Sequence, residues 1–143
     1  MWFKLELVKM DGYDNIYGPD IFVDEFCKNV FGLPKDRVFS PEAPKPVKQY
    51  VKWLQRSLKR LDKQGKATTR LKEFEKLSGT DDIYSARYPN TKKNPRILYF
   101  CMKDSKIVLL YPFLEKNKSD YQHGIGIAET RKTTFEAQWP LDE

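Results

Sequence analysis

Histidine occurs once in this chain of 143 residues, at His123, and cysteine twice, at Cys27 and Cys101. Three such scattered residues make no Cys/His cluster with metal-ligand spacing, so no metal site and no cofactor is expected. The cysteines stand beside Phe26, Phe100 and Met102. They allow one disulfide at most and read better as two buried thiols in a reducing cytosol, which implies a cytoplasmic location. No window reaches the roughly 18 consecutive apolar residues of a membrane-spanning helix. The opening Met1-Trp2-Phe3-Lys4-Leu5-Glu6 lacks a basic region followed by an apolar run and does not read as a signal peptide. Internal repeats and low-complexity tracts are also absent.

What is present is positive charge, and it is concentrated. The net formal charge is +6. Residues 1–44 are net acidic, and residues 73–143 balance. Between them, Lys45, Lys48, Lys52, Arg56, Lys59, Arg60, Lys63, Lys66, Arg70 and Lys72 face Asp62 alone. A basic stripe on one element is the electrostatic footprint of a phosphate-backbone binder. It equally describes a solvated helix face, or a surface that docks an acidic partner.

Hydrophobic periodicity divides the chain into elements. Residues 2–9 alternate, with Phe3, Leu5 and Leu7 on one side, as a half-buried strand does. Residues 11–15 form a turn cluster, and residues 20–31 a short amphipathic helix. Pro34, Pro41, Pro44 and Pro46 predict a rigid non-helical connection. Val47, Tyr50, Val51, Leu54, Leu58 and Leu61 recur at spacings of three and four, predicting a helix that ends near Gln64-Gly65. A second helical stretch is expected over residues 69–77, broken by Ser78-Gly79-Thr80-Asp81. The period then becomes two, predicting strands at 83–88, 96–103 and 106–114, the last two joined by a tight hairpin at Asp104-Ser105. Residues 89–95 read as a polar basic loop. Residues 121–136 have helical spacing, weakened by Gly124 and Gly126. The order strand, helices, antiparallel meander predicts an α+β domain: a small antiparallel sheet with helices packed on one face.

The segment from Phe74 to Arg131 resembles the RelE/ParE superfamily of toxins, and within it the HigB-like, phage-derived Gp49-like branch. The residues that carry the likeness are Lys76-Leu77-Ser78-Gly79-Thr80-Asp81-Asp82-Ile83-Tyr84 with Arg87, then Arg96-Ile97-Leu98-Tyr99-Phe100, then the strand from Ile107 to Lys116, and last Ile127-Ala128-Glu129-Thr130-Arg131. They cover somewhat under half of the chain. Tyr111 stands where such relatives often carry histidine. The resemblance implies a RelE-like fold over a single toxin domain, residues 1–143, with an extended N-terminal segment of about residues 1–46. It further implies a ribosome-dependent endoribonuclease that cuts messenger RNA, an mRNA interferase of a type II toxin–antitoxin system. Its partners would be the ribosome, the messenger and a cognate antitoxin, expected to be of the helix-turn-helix type.

The implied chemistry is attack of a ribose 2′-hydroxyl on the adjacent phosphate, with loss of the 5′-oxygen. It needs a base, cations around the developing phosphorane charge, and an acid, but no metal. By resemblance, Arg87 and Arg96 sit at strand positions that face the RNA cleft and would clamp phosphate; the guanidinium fork suits that task. Lys116 and Lys118 lie in a segment like the basic loop after the last strand of RelE, and would stabilise transition-state charge. Tyr121 would stack on a base or assist proton transfer. Histidine is the side-chain type that titrates near neutrality, which makes His123 a candidate acid or base. Lys92 and Lys93, with Lys52, Arg56 and Lys59 of the basic helix, would contact RNA. For each there is a plainer role: a solvated loop for Lys92 and Lys93, an inert surface histidine for His123, a solvated strand end for Arg96. The rival class is a toxin-fold protein that cuts nothing, either a ParE-like inhibitor of a protein target or an inactive phage-derived binding module. A DNA-binding domain fits less well, because no helix-turn-helix pair with the expected short turn is found.

Overall fold

A computed structural model describes residues 5–88, 94–102 and 105–140. It shows the α+β class that the order of elements implies. Six strands form one sheet: β1 (Leu7–Lys9), β2 (Ile16–Pro19), β3 (Phe74–Lys76), β4 (Tyr84–Arg87), β5 (Asn94–Met102) and β6 (Lys106–Glu115). Their order across the sheet is β1-β2-β6-β5-β4-β3, antiparallel throughout except for the parallel pair β2·β6. Four helices pack against it: α1 (Phe22–Phe26), which runs on into a π-helical turn over Cys27–Phe31, α2 (Lys35–Val38), α3 (Lys45–Gln64) and α4 (Lys118–Gln138).

Successive side chains of a strand leave opposite faces, and the core divides accordingly. Ile97, Tyr99, Ile107 and Leu109 join Phe22, Phe26, Trp53, Leu54, Leu58 and Leu61 on one face. Leu98, Phe100, Val108 and Leu110 join Ala128 and Phe135 of α4 on the other. The helices thus occupy both faces rather than the one expected: α1 to α3 pack on one and α4 on the second, because inward side chains of both alternations of β5 and β6 are apolar. Both cysteines carry free thiols, Cys27 buried and Cys101 half-buried. Among the described residues, no helix is long and apolar enough to cross a membrane.

β2 touches only the start of β6, where Ile16 and Tyr17 lie opposite Ile107 and Val108. Farther along, side chains take the place of a neighbouring strand. Arg131 of α4 donates from Nη1 to the Leu110 carbonyl at 2.9 Å, and Asn29 donates from Nδ2 to that of Pro112 at 2.9 Å. The same guanidinium makes a two-pronged pair with Glu25 of α1, at 2.6 and 2.7 Å, tying the two faces together around this edge. A register shift opposite Leu98 and Tyr99 adds one residue to β6. Beyond this bulge Tyr111 and Phe113 face α4.

Several expectations are corrected. The stretch 69–77 is not a helix: a 3₁₀ segment over Gly65–Arg70 leads into β3, whose Phe74 lies opposite Ala86. Phe74 and Leu77, three apart, enter the cores on opposite faces of the sheet edge, and pairing with β4 overrides the helical spacing. The proline-rich connection holds one helical turn, α2, after Pro34, and α3 starts at Lys45, because proline is tolerated in a first turn. Of the strand expected over residues 2–9, residues 2–4 lie outside the described ones and the described part is Leu7–Lys9, while β2, next to the turn cluster, was not expected. Asn94 and Pro95 belong to β5 rather than to the preceding loop.

Candidate functional site

Pairing places Arg87 opposite Arg96, and Arg96 opposite Phe113. Residues opposed across antiparallel strands share a face, so both arginines point toward the face that α4 covers. Arg96 is buried, at 8% exposure. Its Nη1 donates to Ser85 Oγ at 2.9 Å and to Glu75 Oε1 at 3.3 Å. Its Nε lies 3.0 Å from Glu115 Oε2, close enough for charge attraction but at an angle that leaves Nε without a hydrogen bond. Tyr121 lies against the guanidinium, with Cζ 4.8 Å from the ring centroid. Two carboxylates therefore neutralise Arg96 already, and a phosphate at this point must displace one of them. Sequence reasoning missed Ser85, Glu75 and Glu115, since nothing local marks an acid on β3 as the partner of an arginine on β5.

Arg87 has the opposite surroundings. It is half-buried, and among the described residues no carboxylate pairs with it. Among the described residues its Nε is buried without a hydrogen-bond partner, although its carbonyl receives Trp53 Nε1 at 3.2 Å. An arginine with a buried unsatisfied donor, next to a second arginine, is the most anion-seeking point on this face.

The start of α4 supplies the remaining candidates. Asn117 caps the helix, its Oδ1 accepting from the Asp120 amide at 3.1 Å. The Lys116 amide donates to Asp120 Oδ2 at 3.1 Å. Lys116 and Lys118 are exposed, and Tyr121 is half-buried. Burial pushes the Tyr121 phenol above its ordinary value of 10.0, while neighbouring Arg96 pulls the other way. At neutral pH it is a proton donor and a stacking surface, not a base.

His123 lies on the other flank of α4. There it lines a cleft of about 210 Å³ with Asn29, Tyr111, Phe113, Lys116 and Asp120. The helix closes on β6 between the two flanks because Gly124 leaves room for the Phe113 ring: a Cβ at this position would stand 2.8 Å from it. The structure thus joins Arg96 with Tyr121, sets Arg87 beside them, and holds Lys116 and His123 around a separate cleft. Lys92 and Lys93 lie outside the described residues.

The other expected RNA contacts are on the far face of the molecule. Lys45, Lys48, Lys52, Arg56, Lys59 and Lys63 are all exposed and follow one another at spacings of three and four along α3. They form one straight stripe about 27 Å long. Arg60, off the stripe, is instead paired with Glu73 at 2.8 Å. Lys52, Arg56 and Lys59 therefore lie on the face opposite Arg87 and Arg96, and a short single strand cannot touch both sets at once. Comparison with protein-family models, with curated proteins and with solved structures finds no match to this chain.

Proposed function

We propose that this protein is a cytoplasmic, metal-independent endoribonuclease of the toxin type, which cuts ribosome-bound messenger RNA and is restrained by a partner antitoxin. The observation that carries the reading is the grouping of Arg87, Arg96 and Tyr121 on one sheet face beside the lysine-bearing start of α4. In this scheme the 2′-oxygen forms the new bond to phosphorus and the bond to the 5′-oxygen breaks. Arg87 and Lys118 stabilise the phosphorane charge, and Arg96 holds Tyr121 in place. Tyr121, a protonated phenol, stacks on a base or donates to the departing 5′-oxygen. The 2′-proton passes to solvent water, or to His123 where the RNA spans α4 to the cleft beside it. The basic stripe of α3, on the opposite face, docks on ribosomal RNA while the cleft faces the messenger.

The specific observation favouring the rival reading, a toxin-fold binding module that cuts nothing, is the pairing of Arg96 with both Glu75 and Glu115. Expression in a bacterial host distinguishes the two. The nuclease reading expects growth arrest with loss of messenger, relieved by Lys118→Ala and by Tyr121→Phe at unchanged protein level. Arrest without messenger loss favours the binding module.

A further inference from the structure

Beside the cationic stripe runs an apolar groove of about 440 Å³, between α3, α1 and the turn that follows β1. Leu54 and Leu58 form its floor, and Met10, Val23 and Phe39 its upper walls. Phe39 is 44% exposed, one of two large apolar side chains so open to solvent among the described residues. Gln55 lies on the α3 wall, and its helical neighbours at minus seven, minus three and plus four are Lys48, Lys52 and Lys59. None of these three lysines has a salt-bridge partner among the described residues. The opposite rim carries Lys9, Asp11 and Asp20.

We infer that groove and stripe form one docking surface for an amphipathic helical segment of a partner protein. Its apolar side chains fill the groove, its carboxylates face α3, and its opposite flank is free of acid. Charge complementarity sets this orientation, since three lysines without ion pairs stand on the α3 rim, while on the other Asp11 and Asp20 outnumber Lys9. A nucleic acid would use the lysines but has little use for an apolar trough floored by leucines. The segment covers Lys52 and Lys59, so a bound partner excludes RNA from α3. Docking itself is independent of the nuclease reading; only its inhibitory consequence rests on it.

The test uses full-length protein and a fluorescein-labelled synthetic helical peptide, with leucine at i, i+3, i+4 and i+7, glutamate on one flank and lysine on the other. A control peptide carries serine for leucine at the same charge. Fluorescence anisotropy is expected to show saturable binding of the amphipathic peptide, and roughly tenfold weaker binding of the control. Phe39→Ser is expected to weaken binding roughly tenfold, and the pair Lys52→Glu with Lys59→Glu to abolish it. All three side chains are exposed, so the melting temperature stays unchanged. Equal binding of both peptides, or indifference to Phe39→Ser, overturns the proposal and leaves a polyanion site. So does single-stranded RNA binding that needs Phe39, which would make it a base-stacking platform, and so does no saturable binding up to about 1 mM peptide. If the peptide binds as expected while the protein cuts no RNA, the docking surface stands and the nuclease reading falls.

Discussion

The two arginines that face each other on β4 and β5 differ in what surrounds them, and that difference separates structural from chemical work. Arg96 lies between Glu75, Glu115, Ser85 and Tyr121, and removing it leaves the half-buried Glu115 and the exposed Glu75 without this cation. Arg96→Ala is expected to cost about 2–3 kcal/mol in urea denaturation, below the usual range for a broken buried pair because Glu75 is itself exposed. Loss of activity in that variant would therefore report on folding; Arg87 and Lys118 are the cleaner probes. Tyr99 makes a complementary case. It is fully buried and stacks on Tyr84 at 5.5 Å, and burial holds its phenol far above the ordinary value. Its hydroxyl lies by Thr68, whose own hydroxyl is turned to the Gly65 carbonyl, and makes no hydrogen bond of good geometry. Since an unsatisfied buried hydroxyl is a cost, Tyr99→Phe is expected to leave stability unchanged or raise it by up to about 1 kcal/mol. A loss beyond that in the same denaturation assay would mean the hydroxyl is hydrogen-bonded after all.

At the scale of elements, α3 was legible because its apolar and basic stripes repeat over 20 residues with little to interrupt them. The hairpin β5–β6 was legible because long runs of Ile, Leu, Val, Tyr and Phe with a period of two have few alternatives. The tail was harder, and the reason is physical. α4 buries Gly124, Ala128, Lys132 and Phe135, so its inner face is written in two small residues, a lysine and one phenylalanine rather than in leucines. Lys132 is nonetheless buried, because its Nζ lies 3.0 Å from Asp81 and over the Phe100 ring. The glycines that weaken the helix on propensity also differ from each other. Gly124→Ala forces a Cβ into the Phe113 ring and is expected to destabilise by about 1–2 kcal/mol. Gly126→Ala meets nothing within 4 Å and is expected to stabilise by up to about 1 kcal/mol. Thermal melts of both variants check the contrast, which a purely local account of helix propensity does not produce. β2 escaped notice because four residues carrying a glycine and a proline hold no periodic signal, and pairing with β1 on one side and β6 on the other makes them a strand. The site was half legible in the same sense. Sequence likeness drew attention to Arg87, Arg96 and Tyr121, but the acids that neutralise Arg96 and the flank that separates His123 are products of register.

Across the whole molecule, one pH dependence follows from burial. Tyr13, Tyr99, Tyr111 and Tyr121 all have phenols held above the ordinary value of 10.0, with burial the largest cause in each. The folded state keeps these protons to higher pH than the unfolded state does. Their contribution to stability is therefore complete below about pH 10 and is lost as pH rises through the folded values. The urea midpoint is expected to fall as pH rises above about 10, and less so in Tyr99→Phe. The global arrangement also sets Arg87 and Arg96, with Tyr121 over the latter, and the stripe of α3 on opposite faces of one sheet. That suits an enzyme that reads messenger on one side and holds a large RNA surface on the other. The measurement that tests this directly is cleavage of a defined messenger RNA by purified protein, with and without programmed ribosomes. The account predicts in-frame cuts only when ribosomes are present, lost in Lys118→Ala and in Arg87→Ala with the melting temperature unchanged. Absence of cuts in both conditions, from protein shown to be folded, would contradict it.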